Sequence, residues 1–196
     1  MRVIAGENKG RTLHTIASQR TRPTTDKVKE TLFNMIGPYF DGGAVLDLYA
    51  GSGGLAIEAL SRGAAKAVLV DKAAAACRVI RQNLVNCRYQ KQTSLLQTDA
   101  KRALELLAER GEQFDYIFLD PPYAQQQLVR DIDFLISHAL LRRNALIIAE
   151  HEDKVILPET FAGNWRVWKY RTYQGKTALS IYRQERLETT EGLQNE

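Results

Sequence analysis

An apolar, β-prone run that turns abruptly glycine-rich constrains this chain more than any other stretch: Ala44-Val45-Leu46-Asp47-Leu48-Tyr49-Ala50-Gly51-Ser52-Gly53-Gly54. It continues into Leu55-Ala56-Ile57-Glu58-Ala59-Leu60, whose apolar spacing is helical. Strand, tight glycine loop and helix form the opening unit of a nucleotide-binding α/β domain. Glycine admits positive φ and lets a ligand approach the backbone with no Cβ in the way. A second run, Tyr116-Ile117-Phe118-Leu119-Asp120-Pro121-Pro122-Tyr123, brings an acid, two prolines and an aromatic to the end of a buried strand. Open α/β sheets bind ligands outside the carboxyl ends of their strands, so both stretches are expected to face one pocket.

Strand and helix periods alternate along the chain after the glycine loop. Ala67–Asp71 reads as a second strand, residues 73–86 as a helix, Thr93–Gln97 as a short third strand and Ala100–Arg110 as a helix. Tyr116–Leu119, a helix over Leu128–Leu141 and a fifth strand over Ala145–Glu150 follow. This order predicts a doubly wound, parallel sheet with right-handed crossovers. Trp165–Tyr173 and Thr177–Tyr182, joined at Gln174-Gly175-Lys176, then predict an antiparallel hairpin closing it. At the other end, Arg2–Gly6 and Gly10–Ile16 flank the turn Glu7-Asn8-Lys9, so a β-hairpin arm is expected. Thr24 or Thr25 suits the N-cap of the next helix, whose apolar stripe is Val28, Leu32, Met35 and Ile36. The expected organisation is an arm over residues 1–20, one domain over 21–185 and a disordered polar tail over 186–196.

The 196 residues, 44% of them apolar, suffice for one domain with a full core. No run approaches the roughly 20 apolar residues of a membrane span, and charge arrives too early for a signal peptide, so a cytoplasmic location is expected. Cys77 and Cys87 lack partners at metal-ligand spacing and read as small thiols in a reducing compartment. Net charge is +4, but its distribution says more. Residues 1–30 carry Arg2, Lys9, Arg11, Arg20, Arg22, Lys27 and Lys29 against Glu7, Asp26 and Glu30. A basic arm ahead of a catalytic domain points to a polyanionic partner, with an ordinary solvated face as the alternative. His14, His138 and His151 lie away from the motifs and are not expected to be catalytic.

The glycine loop alone does not exclude a dinucleotide dehydrogenase, since Ala56 stands where Gly or Ala is accepted. Asp47 argues otherwise, because a carboxylate ahead of the glycines would repel a pyrophosphate. It suits a ligand bearing ammonium and hydroxyl groups. Asp71 ends the next strand, where an acid can accept hydrogen bonds from ribose hydroxyls. Ribose with a cationic amino-acid end and no phosphate describes S-adenosylmethionine. In Asp120-Pro121-Pro122-Tyr123 the prolines remove N–H donors, leaving the Asp120 carboxylate and the Pro121 carbonyl as acceptors. Two acceptors holding both hydrogens of an exocyclic amine would aim its lone pair at an electrophile. Tyr123 would give a flat face to an unstacked base.

These motifs resemble the class I S-adenosylmethionine-dependent amino-methyltransferases. More closely the chain resembles the RsmD-type enzymes of bacteria, which methylate guanine N2 in small-subunit ribosomal RNA. The resemblance runs to about Arg183, through Gly10-Arg11, the block from Arg22 to Asn34, Glu58-Ala59-Leu60-Ser61-Arg62-Gly63-Ala64, Asn83, Asp120 to Tyr123 and Tyr173-Gln174-Gly175. It implies a Rossmann-like seven-stranded sheet, strand order 3-2-1-4-5-7-6, with an antiparallel last strand, and methylation of guanine 966 of 16S rRNA. It places Asp47, Gly51, Ser52 and Gly53 at the methionine end of the cofactor, Asp71 at the ribose, and Tyr49 among the cofactor-binding residues. Asp99 and Ala100 fall at the adenine, and Arg22 and Thr24 near cofactor and nucleotide. Asp120, Pro121 and Tyr123 would hold the guanine, with Asp120 also beside the cofactor. Arg2, Lys9, Arg11, Arg20 and Arg22 would meet RNA, as naked rRNA or as an assembled subunit. Lys72 and Ala73 depart from the pattern, standing where such families carry an aromatic or aliphatic residue after the ribose acid. A monomer is expected, with neither metal nor membrane involved. The alternatives are an adenine-N6 methyltransferase and a catalytically silent RNA-binding module of the same fold.

Overall fold

A computed structural model describes residues 1–16, 26–122, 124–173 and 176–185, without the side chains of residues 124–126. In chain order the elements are α1 (Asp26–Ile36), β1 (Ala44–Asp47), α2 (Gly54–Ser61), β2 (Lys66–Val70), α3 (Ala74–Cys87), β3 (Thr93–Leu96) and α4 (Ala100–Glu109). They continue with β4 (Phe114–Leu119), α5 (Ala124–Ser137), β5 (Leu141–Glu152), β6 (Thr160–Phe161), β7 (Trp165–Tyr173) and β8 (Thr177–Gln184). The sheet order is β3-β2-β1-β4-β5-β8-β7-β6. The first five strands are parallel and β8 runs antiparallel to β5. The expected Rossmann-like architecture is therefore present, with eight strands rather than seven. The additional strand, β6, is two residues long and pairs with the start of β7, too short to leave a periodic signal.

Side chains of a strand alternate between the two faces of the sheet, and both faces are covered here. Val45, Leu69, Phe118, Ile148 and Leu179 pack with Phe33 of α1, Ile57 of α2 and Ile80 of α3. Leu46, Val68, Ile117, Ile147 and Tyr182 pack with Leu104 of α4 and Ile132 of α5. This sorting fixes the side to which every strand-end residue turns.

The N-terminal residues keep the expected hairpin pairing in shortened form, with Val3 bonded to Gly10 and Arg11 and Met1 to Leu13. They make a single antiparallel bridge, Arg2 with Thr12, rather than two strands. They lie flat on the protein, with Val3 and Leu13 almost wholly buried in the same core as α1 to α3. Glu58 of α2 fastens them, accepting from the Ile4 and Ala5 amides at 2.8 and 3.0 Å. Its carboxylate also pairs with Lys29 at 3.0 Å and Arg62 at 2.8 Å, all three side chains being buried. Lys29, counted in the sequence as a surface cation, is thus an interior one, and its ammonium also donates to the Arg2 carbonyl. Gly6 passes so close to α2 that a Cβ would lie 1.6 Å from the Ser61 carbonyl oxygen, and its φ is +82°. Ser61 therefore serves to dock the N-terminus, and Arg62 the end of α1 and the residues after it. Ser61 Oγ donates to the Ala5 carbonyl, and Arg62 reaches the Pro38 carbonyl and covers the Phe33 ring.

Candidate functional site

Four carboxylates stand in a row at the carboxyl ends of four adjacent strands. Asp71 follows β2, Asp47 ends β1, Asp120 follows β4, and Glu150 lies near the end of β5. Each is two residues beyond an apolar residue of the α1–α3 face, namely Leu69, Val45, Phe118 and Ile148. Strand alternation therefore turns all four towards that face. Pairing of Asp47 with Leu69 and Phe118, and of Leu119 with Ala149, sets the strand ends side by side.

Asp47 lies deepest, 3% exposed, and accepts from the Ala56 amide at 3.3 Å in the first turn of α2. Burial, with added repulsion from Asp120 and Asp71, pushes its carboxyl up to about 7. Asp71 accepts from the Gly51 amide at 3.0 Å and the Ala73 amide at 2.8 Å, so it shapes the glycine loop as well as facing the row. Asp120 is open to solvent, yet enough protein surrounds it to raise its carboxyl above the ordinary range. Water at its open side favours the ionised form at neutral pH. Burial, and then the charge of Asp120, raises Glu150 as well. The two titrate as a pair, since neighbouring carboxylates resist joint ionisation.

The glycine loop leaves room above itself. Gly51 has φ +56°, and a Cβ there would meet nothing within 4 Å. Gly53 is needed for packing, because its Cβ would press within 3.1 Å of Leu69. Ser52 gives its carbonyl to the buried Asn83 amide at 2.9 Å, and the same amide group bonds both N–H and C=O of His14. Asn83 thereby ties the N-terminal segment to the loop. Tyr49 turns its hydroxyl away from the row to donate to Asp131 of α5. Asp99 is exposed and caps α4 by accepting from the Arg102 amide, while Ala100 is buried beneath it. Pro121 is buried. Tyr123, Arg20, Arg22 and Thr24 lie outside the described residues.

Arg2 pairs with Asp26 at 2.8 Å, Arg11 donates to the Asn86 carbonyl, and Lys9 is exposed. A groove of about 490 Å³ between α1 and β7 is bounded by Thr31, Asn34, Met35, Lys169, Tyr170 and Arg171. His151 is buried against Ser180 Oγ at 2.9 Å, and His138 stacks on Phe134 at the surface. Among the described residues, no three His, Cys, Asp or Glu side chains are grouped to hold a metal ion, and no helix is long and apolar enough to cross a membrane.

Glu150 and Asn83 were not singled out as site residues from sequence. Glu150 carries the same signal as the other three acids, a carboxylate closing an apolar strand, but has no glycine or proline beside it. Asn83 sits inside a helix, and nothing local marks its reach to Ser52.

Comparison with known proteins gives a consistent assignment. The family model described as Conserved hypothetical protein 95 matches residues 1–183. YlbH of Bacillus subtilis is 48% identical over 93% of this chain and 98% of its own length. Ribosomal RNA small subunit methyltransferase D of Escherichia coli is 35% identical over 94% of this chain and 90% of its own. The solved structure of yhhF from Escherichia coli superposes with a TM-score of 0.81 at 34% identity, covering 94% and 98% of the two chains.

Proposed function

The chain belongs to the Conserved hypothetical protein 95 family, the RsmD family, and from that premise we propose that it is a small-subunit rRNA guanine-N2 methyltransferase. Its cofactor is S-adenosylmethionine, and its target is guanine 966 of 16S rRNA. The observation that carries this reading is the convergence of the strand-end carboxylates with the Asp-Pro-Pro loop at one rim of the sheet.

The residues present fit the cofactor. Open space lies over Gly51, and the acceptors around it suit ammonium and hydroxyl donors rather than phosphate. Asp47 and Gly51 to Gly53 would line the amino-acid end. Asp71 would take ribose hydroxyls on lone pairs that the two amides leave unused. Ala100 and the cap residue Asp99 would border the adenine. Tyr49 would contribute through its ring, its hydroxyl being held by Asp131. When bound, the cofactor supplies an electrophilic methyl group.

Asp120 and the Pro121 carbonyl would accept the two N2 hydrogens, fixing the amine for in-line attack. Tyr123 would stack on the extruded base, and Arg22 and Thr24 would border cofactor and nucleotide. A dedicated general base is not required, because proton loss can follow methyl transfer. Residues 1–20 would serve as the RNA-facing edge of the 21–185 domain through Arg2, Lys9, Arg11, Arg20 and Arg22. Arg2 and Arg11 already hold internal partners, so part of their charge is committed to folding.

Incubation with labelled S-adenosylmethionine and small-subunit rRNA, followed by digestion to nucleosides, tests the reading. N2-methylguanosine is expected. N6-methyladenosine would establish the adenine alternative, and absence of transfer to naked RNA and to small subunits alike would contradict the enzyme assignment.

A further inference from the structure

The methyl transfer just described gives Glu150 no task. Its Oε2 is buried and finds no hydrogen-bond partner among the described residues, although the neighbouring carboxylates Asp47 and Asp71 accept backbone amides. Buried polar atoms without partners are uncommon in folded proteins, and each calls for an explanation. Position supplies one. Leu119 pairs with Ala149, so Asp120 and Glu150 leave adjacent parallel strands side by side, on strands about 5 Å apart. Both turn to the α1–α3 face.

Guanine displays its N2 amine and its N1–H next to each other on one edge. A base that offers N2 to Asp120 must bring N1–H to the next group along. We propose that Glu150 is a specificity-determining residue that accepts the guanine N1–H through Oε2, an inference that rests on the guanine-N2 reading above. A carboxyl retains an accepting oxygen whether or not it carries a proton. Adenine has a lone pair at N1, which would oppose this oxygen. A site built to hydrogen-bond a donor rejects an analogue without it, because the site's polar group is then left unpaired.

The discriminating substrate is an RNA with 2-aminopurine at the target position. That base keeps the amine at C2 but lacks the N1–H. Single-turnover rates are measured for guanine and 2-aminopurine RNAs with the wild type, Glu150→Ala and Glu150→Gln, alongside the cofactor Kd. The wild type should prefer guanine. Glu150→Ala should slow guanine about five- to a hundredfold, the cost of leaving a buried donor without its acceptor. It should leave 2-aminopurine and the cofactor Kd nearly unchanged. Glu150→Gln, which keeps an accepting oxygen, should recover part of the guanine rate. Should the alanine variant fail to fold, a guanine-only loss in the glutamine variant supports the proposal equally. Equal losses on both bases, or none on either, would overturn the proposal. A wild-type enzyme that methylates neither RNA at N2 would overturn the guanine reading itself, which is a separate result.

Discussion

At the residue scale, Asp47 shows how a binding group can oppose stability. Its carboxyl stands at about 7 in the folded chain against an ordinary 3.8. Between those values the folded chain holds more protons at this position than the unfolded chain does. Its favourable contribution is complete below about 3.8 and is lost as pH rises through about 7. A shift of this size corresponds to a few kcal/mol at most. Asp47→Asn, uncharged at every pH, should flatten the decline in cofactor-free stability between pH 5 and 8, as urea unfolding at each pH would show. It should also weaken cofactor binding. An unchanged pH profile would mean that Asp47 is not the group responsible. The sequence revealed the acid and its place at a strand end. It did not reveal the protonation cost, which arises from burial in the folded core and from Asp71 and Asp120, both far from Asp47 in the chain.

At the element scale, α2 couples the cofactor loop to the N-terminus. Its first turn meets Asp47, and its middle carries Glu58, on which Lys29, Arg62 and two N-terminal amides converge. Removing one member of a buried ionic group leaves the others uncompensated, at a cost of roughly 3–5 kcal/mol. Glu58→Ala should lose about that much stability in urea unfolding, whereas a loss under about 1 kcal/mol would place the network in water. Here sequence reading went furthest astray. Lys29 reads as one more cation in a basic arm because its partner is on another helix, and charge counting does not see partners. Most strands of the doubly wound half were legible because they are compact apolar runs ending at an acid, as β1, β2 and β4 do at Asp47, Asp71 and Asp120. The N-terminal segment was legible in part: its two halves pair across the turn, Val3 with Gly10 and Arg11 and Met1 with Leu13, but α2 and Asn83 take the amides of Ile4, Ala5, Glu7, Asn8 and His14.

At the scale of the whole molecule, the sheet order brings residues far apart in the chain to one rim, from Asp47 to Glu150. Three of the four carboxylates were legible because glycine or proline motifs flagged them or ribose spacing predicted them. Glu150 became visible only once β5 was placed beside β4. The central claim is that this rim orients an exocyclic amine through Asp120 while the cofactor is held separately by Asp47 and Asp71. The most direct test compares single-turnover methyl transfer with cofactor Kd for Asp120→Ala. Transfer should fall by at least a hundredfold, about 2.7 kcal/mol of barrier, with the Kd changed by no more than a few fold. Near-wild-type transfer by a folded Asp120→Ala protein would contradict the claim.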